Sequence, residues 1–192
     1  MDIEDSLQRQ IPHRLDALAM FTLMYRLRME WEEAKPMQVF VAGRLEFDGN
    51  TNALTNPVFE AGLLHCRALL EFLGLKVDRS GALKNVELPR RNSDDAGIEK
   101  LQSGNTSLPL VTPGQAIAAF SGDPAIAEAA LVAVMGAANK GMAHLTTQYT
   151  RSPANIGSIA VAAELIPLLV EHYVYAATGV TRPPSALQAR PR

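Results

Sequence analysis

The sequence predicts an all-α fold, a helical bundle of about five to six helices with a long irregular loop over residues 76–113. Three observations lead to this prediction. Apolar residues recur every three to four positions over most of the chain, as on the buried face of a helix. Prolines and small polar residues stand where such runs begin, which is typical of helix N-termini. No alternation of apolar and polar residues indicates strands from which a sheet could be built.

The N-terminal half predicts three helices. The first spans residues 12–35, with Pro12 in its first turn. A second, short helix spans residues 37–47 and stops at the Asp-Gly-Asn sequence that follows it. The third begins with Asn56 as its N-cap and runs to Gly74, which is expected to be its C-terminal cap.

Residues 76–113 change in character, because they are polar, punctuated by glycine and proline, and show no sustained periodicity. A structureless connection of this length is uncommon inside a compact domain. Three alternatives remain open. The segment is a mobile flap, a segment that binds a partner, or a region with unrecognised short strands such as residues 83–86.

The C-terminal half predicts a short helix over residues 113–120 and two long helices. The long ones begin at Asp123 and Ser152, each a cap followed by proline, and extend to about residues 148 and 177. Residues 179–192 are rich in proline and arginine and are expected to form a disordered tail. Residues 1–178 are therefore expected to form a single domain.

The composition indicates a globular chain that works in the cytoplasm. A length of 192 residues with 47% apolar residues is enough to bury a core without disulfides or metal. The single cysteine, Cys66, cannot form an internal disulfide, which suits a reducing compartment. The start of the chain is acidic where a secretory signal is basic, so no export is expected. The formal charge of −2 provides no protein-wide basic field, so any RNA or DNA site would be local.

The stretch 156–177 is apolar enough to be considered as a membrane span. It contains Glu164, Pro167, Glu171 and His172, each of which is costly in hydrocarbon. The expectation is therefore a buried helix and no membrane partner.

Two polar residues of the third helix are candidates for binding. His65 falls inside the apolar arc of that helix, where it is either a core histidine or a functional one. Arg67 stands four residues before Glu71, the spacing of a surface ion pair. Cys66 is not expected to act with His65, because neighbours on a helix point about 100° apart.

Three further binding candidates, Glu164, Glu171 and His172, lie on the last helix. The two carboxylates share one stripe of a largely apolar helix, and His172 lies among its apolar residues. Since buried carboxylates need partners, they are expected either to pair with Lys140 or an arginine or to face solvent along one seam. The Glu-x-x-His pairs of di-iron bundles are absent, so no metal and no cofactor are predicted.

The stretch that most suggests chemistry is residues 139–144, Asn-Lys-Gly-Met-Ala-His, where a base and a histidine stand one helical turn apart. Its helix has a core side and a second stripe of mostly small residues. Small residues let another backbone approach closely, so this stripe is expected to be a helix–helix or subunit contact. The stripe consists of Ile126, Ala130, Ala133, Ala137 and His144.

This motif on a late helix resembles that of HEPN domains, whose usual signature is an arginine, a polar residue, three further residues and a histidine. Asn139 stands in the position of the arginine, Lys140 in the polar position and His144 in that of the histidine, and the resemblance covers about residues 56–177. It implies a homodimer with the motif lining the subunit cleft, which cuts RNA without a metal. His144 would then act on the 2′-hydroxyl or the leaving oxygen.

The chain departs from that signature at Asn139, which lacks the guanidinium that would hold a phosphate. Lys140 offers only a point charge in its place. HEPN-like proteins without the full motif are similar in fold and look like binding or antitoxin-type partners.

Three hypotheses follow. The first is a homodimeric, non-catalytic interaction module of HEPN-like type. The second is a metal-independent RNase or RNA-binding protein that uses His144, Lys140 and Asn139. The third is a metal or small-molecule site between the helices.

Overall fold

The structure is a computed structural model that describes residues 5–141 and 153–187, and the side chains of residues 5–139 and 157–187. Helices make up most of the described chain, as predicted. The described residues also form three two-stranded antiparallel sheets. The all-α prediction is therefore corrected to a mainly helical fold with small sheets.

The first helix, α1, spans Ile11–Met29 and follows one wider helical turn at Ser6–Gln10. Pro12 lies in its first turn, as predicted, directly after the wider turn. The helix ends before the predicted residue 35. Its buried face is formed by Ile11, Leu15, Leu18, Phe21 and Met24.

The predicted helix over residues 37–47 is wrong, because this region forms a hairpin. Strand β1, Pro36–Val41, pairs with β2, Arg44–Asn50. Ala42 and Gly43 take positive φ values of 49° and 82° and reverse the chain between the strands, as in the tight turns that suit the twist of a hairpin. The β-branched and aromatic residues of β1 favour the extended backbone.

Helix α2 spans Asn52–Phe72. It begins upstream of the predicted cap Asn56, and the Asn50 side chain accepts a hydrogen bond from the Asn52 N–H at 3.0 Å. Its end is as predicted. Gly74 has a φ of 93°, and its N–H donates to the Glu71 carbonyl, which is the role of a left-handed C-terminal cap.

The segment 76–113 contains short strands, so that alternative is confirmed. Strand β3, Leu75–Val77, pairs with β4, Leu83–Asn85, and β5, Gln102–Ser103, pairs with β6, Thr106–Ser107. Two 3₁₀ turns lie between these hairpins, at Leu88–Arg90 and Ile98–Lys100. The segment is anchored by buried side chains that join the core: Leu83, Ile98, Leu101, Leu108 and Val111.

Three helices follow. Helix α3 spans Pro113–Ala118, and a capping box between Thr112 and Gln115 fixes its start. Helix α4 spans Pro124–Gly141, with the Asp123 carboxylate accepting from the Ala125 N–H. The predicted end of this helix near residue 148 lies outside the described residues. Helix α5 spans Pro153–Val170 and continues as a wider helical turn, Glu171–Ala176.

Helix α2 packs against α1, α4 and α5, and α5 also contacts α1 and α4. Among the described helices, the stretch 157–176 within α5 and its continuation is the one long and apolar enough to cross a membrane, and 44% of it is buried in the protein. Its Tyr175 hydroxyl donates to the Leu7 carbonyl at 2.9 Å. This contact joins the last helical turn to the beginning of the chain.

The described part of the tail, up to residue 187, touches α1. The Ser185 hydroxyl donates to Asp16 at 2.6 Å, and the Ala186 N–H donates to the same carboxylate at 3.0 Å. The prediction of a disordered tail from residue 179 did not anticipate this contact.

Candidate functional site

The hairpin β1–β2 is exposed along its whole length. Every residue of the two strands except Met37 is exposed, and Phe40 and Val41 each retain 58% of their accessible surface. Two-stranded hairpins are marginally stable in water on their own. This one presents an apolar surface that the described part of the chain does not bury.

Apolar side chains lie on both faces of this hairpin. Val39 pairs with Phe47, and Phe40 pairs with Leu45. Directly paired residues point to the same face, whereas the consecutive residues Val39 and Phe40 point to opposite faces. All four side chains are among the exposed large apolar residues of the protein. We call Val39, Phe40, Val41, Leu45 and Phe47 the hairpin surface.

Polar residues along the hairpin carry both signs of charge. Arg44, beside the turn, forms an ion pair with Glu46, and the Gln38 side chain donates to Asp48 at 3.1 Å. The Arg44–Glu46 pair thus lies near the tip, and the carboxylate of Asp48 lies nearer the base.

The predicted catalytic residues lie at the end of α4 and beyond it. Asn139 is exposed, Lys140 belongs to the helix by its backbone, and His144 lies outside the described residues. The predicted approach of Lys140 and His144 therefore stays a prediction. Upstream on α4, Ala130 of the small-residue stripe is fully buried, whereas Ile126 is 51% exposed.

The imidazole of His65 is half-buried between side chains of α1. Arg14 Nη1 lies 3.2 Å from His65 Nδ1, and the His13 ring meets the His65 ring edge-on at 5.4 Å between centroids. Burial lowers the pKa of His65, and the positive charges of Arg14 and His13 lower it further. A neutral His65 can accept the hydrogen bond from Arg14.

One expectation about the neighbours of His65 is confirmed. Arg67 Nε donates to Glu71 Oε1 at 2.8 Å, which is the predicted ion pair. Cys66 is fully buried, and burial raises the pKa of its thiol to about 12. A thiol held protonated in this way is a poor nucleophile.

The candidates on the last helix face solvent. Glu164 pairs with Arg26 at 3.2 Å, so an arginine is its partner, and both side chains are more than half exposed. Glu171 and His172 are exposed, and the His172 ring lies edge-on to Tyr173. The pKa of Tyr175 is raised to about 12, mainly by burial, and Glu171 adds a smaller effect in the same direction.

The structure does not bring the predicted binding residues together. His65 contacts Arg14, whereas Glu164 contacts Arg26, twelve residues further along α1. At 1.5 Å per residue these contacts are separated by roughly 18 Å. Within residues 5–141 and 153–187, no group of three or more histidine, cysteine, aspartate or glutamate side chains could hold a metal ion.

A cavity of about 480 Å³ lies between α1, the second half of α2 and residues 76–96, and Arg14, which contacts His65, lies in its lining. Its apolar floor includes Ile11, Leu69 and Phe72, and its polar wall includes Arg14 and Arg91. Sequence reasoning missed this cavity, because its residues come from three separate segments with no shared motif. The hairpin surface had a local signal, the Val-Phe-Val run followed by Ala42-Gly43.

Comparisons with protein-family models, with curated proteins and with solved structures found no match to this chain.

Proposed function

We propose that this protein is a homodimeric, non-catalytic interaction module of HEPN-like type, and that a second copy docks on the hairpin surface. The observation that carries the proposal is the exposure of apolar side chains on both faces of β1–β2. Removing such side chains from water is favourable by about 25 cal/mol per Å² of apolar surface, and the costs of association offset part of this gain.

The hairpin surface has apolar neighbours along the chain that can extend an interface. Met29, at the end of α1, is 65% exposed, and Leu54, in the first turn of α2, is 40% exposed. A stable interface buries about 800 Å² on each partner, more than a hairpin face alone supplies. We therefore include Met29 and Leu54 in the proposed interface.

The charges of the hairpin favour a second copy over an unrelated partner. In a two-fold contact between antiparallel hairpins, the tip of one hairpin lies against the base of the other. Arg44, which pairs with Glu46 in its own hairpin, then also approaches Asp48 of the second copy, and the same contact forms again across the axis. Opposite charges placed in this way help to fix the register of an interface.

The proposal also takes the four long helices to form a bundle, which the contacts of α2 with α1, α4 and α5 support. Its HEPN-like character rests on the resemblance of residues 139–144. Among the described residues, no observation specifically favours RNA cleavage over this interaction role.

The test compares two exposed apolar residues by sedimentation velocity at about 10 μM protein, a concentration at which a micromolar dimer is populated. We expect the native chain to sediment as a dimer and Phe40→Glu to be monomeric, because a carboxylate would be buried unpaired in the interface. Ile126→Glu is the matched control, since Ile126 is similarly exposed but lies on α4. That variant should remain dimeric.

Circular dichroism of both variants checks that the helices are retained. A monomeric native chain would overturn the proposal. A dimer disrupted by Ile126→Glu and not by Phe40→Glu would also overturn it, because the small-residue stripe of α4 would then be the interface.

A further inference from the structure

We propose that the cavity between α1 and α2 binds a small organic acid, one carboxylate on an apolar body, with Arg14 as the residue that holds the carboxylate. The site is separate from the hairpin surface, because none of the residues lining the cavity belongs to β1 or β2. It therefore stands independently of the proposed dimer.

The shape and floor of the cavity suit an apolar body. Its volume of about 480 Å³ lies within the range of small-molecule sites. The floor is supplied by side chains that the core holds in place, since Ile11, Leu69 and Phe72 are each at least 94% buried. A ligand seated there would remove chiefly its own apolar surface from water, because the floor is already almost fully buried.

Most charges in the wall of the cavity are already paired. Arg91 Nη1 donates to both carboxylate oxygens of Glu99, and its Nη2 donates to the Glu71 carbonyl. Glu87 accepts from both Lys76 and Arg90 at 2.9 Å. The Arg91–Glu71 hydrogen bond ties this segment to α2, and none of these groups is free to anchor a ligand.

Arg14 differs from these groups. Its one hydrogen bond in the described part of the chain is to the ring nitrogen of His65, and no carboxylate of residues 5–141 or 153–187 lies within ion-pair distance of it. The lowered pKa of His65 keeps that ring neutral, so it does not add a charge next to Arg14. A guanidinium has five N–H donors, and most of those on Arg14 remain available to an acceptor.

The same wall argues against ligands of higher charge. The lining, as far as the structure describes the chain, carries four cationic side chains, Arg14, Lys76, Arg90 and Arg91, and three carboxylates, Glu71, Glu87 and Asp95. A phosphate dianion would therefore meet too little positive charge to be compensated. One uncompensated cation beside an apolar floor matches a single carboxylate. Fatty and aromatic acids share this chemistry.

The test is calorimetric titration of the full chain with octanoate, with octanol as the uncharged analogue and inorganic phosphate as the multiply charged one. We expect octanoate to bind with a Kd of about 1 mM or tighter, and octanol at least about tenfold more weakly, because a charge-assisted hydrogen bond is lost. Phosphate should not bind. A parallel titration with 3-phenylpropionate shows whether an aromatic body is preferred to an aliphatic one.

Arg14→Gln should weaken octanoate binding to the level of octanol and leave octanol binding unchanged. Arg9→Gln is the matched control, because Arg9 lies in the adjacent turn, is 82% exposed and pairs with Asp5 outside the cavity. Arg14→Lys keeps the charge and should retain part of the binding, which keeps the test valid if the glutamine variant folds poorly. Equal binding of octanoate and octanol, preferred binding of phosphate, or no binding of octanoate would each overturn the proposal.

Discussion

Hairpins β1–β2 and β3–β4 are both antiparallel pairs joined by tight turns, but they differ in the burial of their side chains. In β3–β4, Leu75 and Leu83 are buried in the core. Asn85, the last residue of β4, donates from its side chain to the carbonyls of Gly74 and Val111 at 3.0 and 2.8 Å. This hairpin is held by α2 and by the chain that leads into α3.

Among the described residues, hydrogen bonds tie hairpin β1–β2 to the rest of the fold at its base. The Thr51 N–H donates to the Lys35 carbonyl at 2.9 Å, and the Lys35 N–H donates to the Thr51 hydroxyl at 3.1 Å. From these hydrogen bonds to the turn, all residues of both strands except Met37 are exposed. Backbone pairing alone does not tell whether a hairpin belongs to the core, whereas the burial of its side chains does.

The largest expected difference between the hairpins comes from leucine truncation. Leu75→Ala should cost about 2 to 5 kcal/mol of unfolding free energy, because it opens a cavity in the core. Leu45→Ala should cost less than about 0.5 kcal/mol, since Leu45 is 45% exposed. Urea unfolding in the Phe40→Glu background measures both without a contribution from association. Similar losses for both variants would contradict the comparison.

A smaller difference is expected at the asparagines that end β2 and β4. Asn85→Ala should destabilise the fold by about 1 to 3 kcal/mol, because two carbonyls in partly buried positions lose their donor. Asn50→Ala removes only a local bond to the Asn52 N–H and should cost no more than about 1 kcal/mol. Thermal unfolding of the two variants separates these values. An equal or larger loss for Asn50→Ala would show that β3–β4 is not the more firmly held hairpin.

The smallest expected effect concerns pH. In the turn of β3–β4, the pKa of Asp78 is well below its usual value, first because Lys84 donates to it and then because Ser80 and the Ala82 N–H donate as well. A lowered folded-state pKa means that the stabilising contribution is present above about pH 4 and is lost as the pH falls further. Asp78→Asn should therefore flatten the acid side of a plot of Tm against pH. An unchanged acid side would contradict this role, and Ser80→Ala should give an intermediate curve.

The parts of the fold that follow from local signals were predictable from the sequence. Gly74 ends α2 as a left-handed cap, and Asp123 followed by proline begins α4. The Arg67–Glu71 pair also depends only on helical spacing. In each case, residues within a few positions of one another determine the structure.

The helix predicted for residues 37–47 failed because apolar residues spaced like a helical face also occur in a hairpin with apolar side chains on both faces. When both faces of a hairpin carry apolar side chains, its sequence does not show the alternation of apolar and polar residues that indicates a strand. The contact between Arg14 and His65 was not predictable for another reason, because 51 positions separate the two residues in sequence. Only tertiary packing brings these two side chains together beside the cavity.

The register shift between Val39 and Phe40 has a consequence for the size of any assembly. The unpaired N–H and C=O groups of an edge strand can pair with a further copy of the chain. A regular pair of such strands can therefore grow into a filament. A bulge leaves a residue unpaired, bends the strand and increases its twist, so the ladder cannot continue in a straight line. We therefore expect association through this hairpin to stop at a closed, countable number of chains.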